Sequence, residues 1–201
     1  MLSELLSFRA RKDDTEKFRR LRHDEHLCPR FRDQTERMLD AYISHRTHVR
    51  DIQGFDDEGA DVLLQYREDD EVKRLGLQVK SFSEIRKWAN GHDKFFLKNL
   101  KAQVATAHSN MNLEHVYVLL CTDAEMHQKQ VRRVSSALKK FDYVTVVLPH
   151  HAITFYELSE IEVVTTVARI LCDEDFVLSK ARRELAWIIR DAGCFDAASV
   201  A

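Results

Sequence analysis

The chain has 201 residues, with 31 Lys and Arg against 33 Asp and Glu, and a formal net charge of −2. At 44% hydrophobic and 32% charged residues, the composition is that of a globular domain and excludes a disordered polyelectrolyte or a histone-like polycation. A near-neutral sum leaves nucleic-acid binding open, because clustering of charge matters more than its total.

Residues 1–27 alternate basic side chains (Arg9, Arg11, Lys12, Arg19, Arg20, Arg22) with acids and predict one or two solvated helices. From Arg30 to Arg46, Phe31, Met38, Leu39, Tyr42 and Ile43 recur at helical spacing. Glu36 falls about 20° from Ile43 on that wheel, at the edge of the apolar stripe, and so leans toward a partly buried site. Extended segments follow near 47–53, 61–67 and 73–81, separated by Gly54 with the D-D-E-G run and by the acidic R-E-D-D-E turn. Residues 83–109 read as helix broken near Asn90-Gly91, with Asp93 as N-cap of the second piece. HVYVLLCTD (115–123) is a continuous apolar run expected of a strand buried on both faces, and YVTVVLP (143–149) reads as a second one after a helix over 125–140. Pro149-His150-His151 opens another helix, Ser159-x-x-Glu162 is a capping box, and Leu178, Ala181, Leu185, Ile188 and Ile189 form a further apolar stripe ending at Gly193. Alternation of helix and buried strand implies crossovers and a partly parallel sheet, hence an α/β fold.

No apolar stretch approaches the ~18 residues that span a bilayer, and MLSELLSFRARKDD lacks the apolar core and cleavage site of a secretory signal. A cytoplasmic protein without a membrane partner is expected. Cys28, Cys121, Cys172 and Cys194 have no C-x-x-C spacing and read as free thiols of a reducing compartment. His23, His26 and Cys28 cluster in sequence, but no second ligand pair at zinc-site spacing accompanies them, so no structural zinc is expected there.

The chemistry-bearing stretch is GFDDEGADVLLQY (54–66) followed by LGLQVKSF (75–82). Gln78 and Lys80, two apart in a strand, face one side, and an adjacent antiparallel strand can bring Asp61 beside them, with Glu36 completing the cluster. A carboxylate, an amide oxygen and a backbone carbonyl are hard donors suited to Mg²⁺. A lysine beside the ion would position water and offset charge developing on a phosphate. Plainer roles stand beside these: strand-start capping for Asp61, a snorkelling surface lysine for Lys80, and turn formation for Asp57 and Gly59.

This pattern resembles the PD-(D/E)xK nuclease superfamily and, within it, the Mrr-like restriction endonuclease branch. The matching positions are Glu36 on a helix, Asp57-x-Gly59-x-Asp61 entering a strand, and Gln78-x-Lys80 in the next strand. The resemblance covers residues 30–157. It implies a restriction-endonuclease-like core with a central mixed sheet of about five strands flanked by helices. The core would span 28–157, between a charged helical extension at 1–27 and a helical extension at 158–201. It also implies a Mg²⁺-dependent DNA endonuclease, Mn²⁺ substituting, acting against foreign DNA or in repair. Asp61, Gln78 and Glu36 would hold metal and Lys80 would act on the water. Asp57, Gly59, Gln103, Lys98 and Lys101 would meet the substrate, with Arg132-Arg133 and Lys139-Lys140 as further candidate phosphate contacts. Many superfamily members carry Glu or Asp where Gln78 stands, so a second expectation is a catalytically inactive module that binds nucleic acid or assembles with a partner. The helical ends offer a surface for a homodimer or a partner protein.

Overall fold

The structure, a computed structural model, describes residues 14–43, 48–51, 60–68 and 71–173. It is an α/β fold in which a mixed sheet is flanked by helices on both faces. Strands β1 (His48–Asp51), β2 (Val62–Glu68), β3 (Glu71–Ser81), β4 (His115–Cys121) and β5 (Val144–Val147) lie side by side in chain order. β1, β2 and β3 pair antiparallel, whereas β3–β4 and β4–β5 pair parallel. Parallel neighbours require crossovers. These are α2 (Phe82–Ala89) with α3 (Phe96–Asn110), and then α4 (Gln128–Leu138). Helices α1 (Cys28–Ile43), α5 (Pro149–Glu157) and α6 (Glu160–Asp173) pack on the opposite face.

Strand alternation sorts the two cores. Val62, Leu64, Leu77, Val79, Tyr117 and Leu119 meet Phe31, Met38 and Phe155 from α1 and α5. Val116, Val118 and Leu120 meet Ile85, Leu100, Val104 and Val134 from the crossover helices. β4 is buried on both faces along nearly its whole length, as the continuous apolar run predicts. β5 departs from that expectation: Val144, Thr145 and Val146 are only half-buried. It is the last strand of the sheet, so its outer side has no strand to cover it.

The N-terminal segment also differs from two solvated helices. It forms a 3-10 turn (Thr15–Arg20) and a π-helical turn (His23–Leu27) whose Phe18 and Leu27 are fully buried. Arg19 pairs with Asp123 at the end of β4, its Nε donating to Oδ2 at 2.9 Å. Asp123 is held below the usual carboxylate range: burial pushes it up, but hydrogen bonds from the Met126 N–H and Arg19 outweigh that. Asp93 is not the cap of α3. It accepts the N–H of Phe95, the residue at the N-cap position, at 3.1 Å. The Ser159–Glu162 capping box forms, with Ser159 N donating to Glu162 Oε2 at 2.9 Å. The stripe from Leu178 to Ile189 lies outside the described residues.

Gly76, in the middle of β3, is a packing requirement. A Cβ there would come within 2.6 Å of Leu113 Cδ1 and 3.3 Å of Ala60 Cβ. Leu113 is itself buried and has little room to yield. Gly76→Ala is expected to lower stability by about 1–3 kcal/mol in urea denaturation; an unchanged midpoint would show that Leu113 repacks freely.

Candidate functional site: the opening between β2 and β3

The ladder between β2 and β3 runs as far as Val62 opposite Leu77, and one further bond links Asp61 N to Leu77 O at 2.8 Å. Beyond it β3 continues while β2 has ended, so the backbone groups of Val79 turn to side chains. Its N–H donates to Asp61 Oδ2 at 2.5 Å, and its carbonyl lies 3.1 Å from His23 Nε2. Gln78 Nε2 donates to the same Asp61 oxygen at 2.8 Å. The structure thus brings Asp61, Gln78 and Lys80 to one end of β3, all buried, at 8%, 2% and 6% exposure. Among the described residues, Gln78 Oε1 is buried without a hydrogen-bond partner. Such an oxygen costs about 1–3 kcal/mol unless a cation or water completes it.

A buried ammonium needs an anion, and Lys80 has one that sequence reasoning overlooked. Its Nζ donates to Glu84 Oε1 at 3.2 Å. The other Glu84 oxygen accepts Ser81 N at 2.8 Å and Ser81 Oγ at 2.6 Å, closing the capping box of α2. The signal was legible, since Ser81-x-x-Glu84 before an apolar helix is a capping-box pattern. Glu84 therefore starts the helix and anchors the lysine together. Glu84→Ala is expected to cost about 1 kcal/mol of stability, whereas Glu84→Gln keeps most of the cap and removes only the charge beside Lys80. Equal losses for both in chemical denaturation would contradict this division.

Lys80 and Glu84 line an open cleft of about 230 Å³ with Lys87, Asp93, Asn99 and Gln103. Gln103 of α3 therefore shares a cleft with Lys80. Lys98 and Lys101, on the same helix, do not line it. Arg133 of α4 lies over the Trp88 ring at 4.8 Å, a packing role for that basic side chain. A larger groove of about 480 Å³, between the 3-10 turn and α5, contains none of the predicted site residues.

Glu36 does not belong to the described cluster of ligating side chains around Asp61. Its carboxyl is raised by burial, with opposing effects from Arg32 and from Asp33 and Asp40, all on its own helix. The residue that arrives instead is His23. Its Nε2 lies 3.5 Å from Asp61 Oδ2, and Cys28 Sγ lies 3.8 Å from that nitrogen. Burial disfavours charge on the ring, but the bond to Asp61 and the contact with Cys28 outweigh it and push the imidazole up to about 12. His23, Cys28 and Asp61 form a group that could hold a metal ion. Asp57 and Gly59 lie outside the described residues.

Burial pushes the neighbouring Cys121 thiol well up, with further contributions from Cys28, Glu84 and Asp61, and so keeps it protonated and inert. Among the described residues no helix is long and apolar enough to cross a membrane. In comparisons with protein-family models, curated proteins and solved structures, the chain matches none.

Proposed function

We propose that the protein is a metal-dependent DNA endonuclease of PD-(D/E)xK type, with the Mrr-like layout that Asp61, Gln78 and Lys80 resemble. The observation that carries this reading is the buried, unpartnered Gln78 Oε1 beside Asp61, two residues along β3 from a lysine that opens on a cleft. Asp61, Gln78 Oε1 and the Val79 carbonyl are hard oxygen donors, and this chemistry fits Mg²⁺, with Mn²⁺ substituting. When bound, such an ion supplies Lewis-acid stabilisation of a phosphate oxygen. Lys80, held by Glu84, orients the attacking water and offsets the negative charge that grows on the phosphate. Gln103, from across the cleft, would bind the phosphate backbone, and Lys87 adds positive charge at the rim. DNA binding through such contacts would weaken steeply with salt.

A second reading is a non-catalytic nucleic-acid-binding or assembly module. The position of His23 favours it, because a ring nitrogen already meets Asp61 and the Val79 carbonyl. One experiment separates the two. Wild type and Asp61→Asn are incubated with duplex DNA, single-stranded DNA and RNA in Mg²⁺, Mn²⁺ or EDTA, and Mg²⁺ binding is measured by calorimetry. The nuclease reading expects cutting of duplex DNA by wild type in Mg²⁺, none in EDTA, and none by Asp61→Asn. Neither cutting nor Asp61-dependent Mg²⁺ binding would establish the module instead.

A further inference from the structure

We infer that His23, Cys28 and Asp61 form a binding site for a borderline-soft divalent transition metal of the Zn²⁺ class. This site is distinct in chemistry from the Mg²⁺ site but shares with it Asp61 and the adjoining Val79 carbonyl. In sequence His23 and Cys28 are five residues apart, which in an α-helix would put them about 140° apart around the axis. The π-helical turn, in which Cys28 N–H bonds back to His23 O, brings them to one side. The start of β2 supplies Asp61 to the same point.

The donor atoms of the three residues all lie within 4.8 Å of one another. His23 Nε2 is 3.5 Å from Asp61 Oδ2, and Cys28 Sγ lies 3.8 Å from Nε2 and 3.9 Å from Nδ1, so the sulfur sits beside the ring and turns toward Nε2 when a metal binds. Tetrahedral zinc with ordinary Zn–N, Zn–O and Zn–S bonds separates its donors by roughly 3.3–3.6 Å. Two edges therefore fit in length within a few tenths of an ångström, and the third, at most 4.8 Å, would close by up to about 1.3 Å. The Val79 carbonyl, 3.1 Å from Nε2, or a water completes four ligands. The remaining imidazole nitrogen is also placed as a metal-binding histidine requires: Nδ1 lies 2.9 Å from Asp24 Oδ1. A carboxylate there fixes the ring and directs Nε2 toward the metal. Metal binding displaces the protons of the His23 ring and the Cys28 thiol, and the resulting thiolate, carboxylate and imidazole balance a dication and select a softer ion than Mg²⁺. Cys28 is fully buried and Asp61 nearly so, while the His23 side chain is 21% exposed, so one side opens to solvent.

Co²⁺ titration of the full chain, followed by absorption, tests the site without reference to cleavage. One equivalent of Co²⁺ is expected to give a thiolate-to-cobalt charge-transfer band in the near ultraviolet and intense visible bands of four-coordinate cobalt, both abolished by excess Zn²⁺. Cys28→Ser, nearly isosteric, should lose the charge-transfer band, and Cys121→Ser should keep it. Asp24→Asn, at an exposed position, should weaken binding by about ten- to hundredfold with an unchanged far-ultraviolet circular dichroism spectrum. Absence of the band in wild type, or its persistence in Cys28→Ser, overturns the assignment. The proposed nuclease activity fails independently, through absent cleavage by protein whose cobalt spectrum is intact.

Discussion

Lys80→Met should lower the single-turnover rate of Mg²⁺-dependent DNA cleavage by about 10²–10³-fold while leaving Mg²⁺ affinity unchanged. The magnitude is that of removing one preorganised group aimed at charge developing in a transition state. Two features favour a large effect, and a third keeps the fold intact. The Lys80 side chain is only 8% exposed, so its field is poorly screened. Glu84 Oε1 holds the ammonium at 3.2 Å, so little reorganisation is needed when charge develops. The methionine fills the same stem volume, and the Ser81–Glu84 capping box does not involve the lysine, so α2 keeps its start. Rates equal to wild type would remove Lys80 from the mechanism. A matching loss of Mg²⁺ affinity would instead mean that the substitution had disturbed Asp61.

Phe31→Ala should cost about 3–5 kcal/mol of stability, the range for emptying a fully buried aromatic site. Against the 5–15 kcal/mol that holds a typical domain together, that is a large fraction. Phe31 has no exposed surface. It stacks on Phe155 at 5.8 Å with 15° between the rings and meets Tyr156 edge-on at 5.8 Å. It thereby joins α1 to α5, a joint to which Gln34 adds hydrogen bonds from Nε2 to Phe155 O at 2.9 Å and Leu158 O at 2.6 Å. Equilibrium urea unfolding measures the loss, and Phe31→Leu should restore much of it by filling most of the cavity. A loss under about 1 kcal/mol would mean that the site collapses without α1 bearing on α5. The consequence reaches the site as well, because α1 begins at Cys28, beside His23.

Much of the secondary structure is legible in the residue pattern because it depends on neighbours in the chain. The apolar run at 115–121, the break at Asn90-Gly91 and the capping box at Ser159 each rest on local periodicity or local hydrogen bonding. Misreadings occur where the deciding neighbour is distant. YVTVVL reads as fully buried, yet half-burial follows from being last in the sheet. Residues 15–27 read as solvated, yet Phe18 and Leu27 join a core shared with α1, the sheet, and the helices α5 and α6 more than a hundred residues on.

The site divides in the same way. Sequence by itself determined that Gln78 and Lys80 share a side of one strand, since the pleat alternates, and that an acidic residue entering the preceding strand would approach them. It also determined the nearly balanced charge and the absence of a long apolar span. Only the tertiary structure decided which third residue joins them. An i,i+5 pair has no reason to converge in an α-helix, and the π turn that makes it converge is visible only once α1 packs on the sheet. The end of β2 then leaves Val79 to be satisfied by Asp61 and His23, so a backbone left without its strand partner gathers the donors into one place.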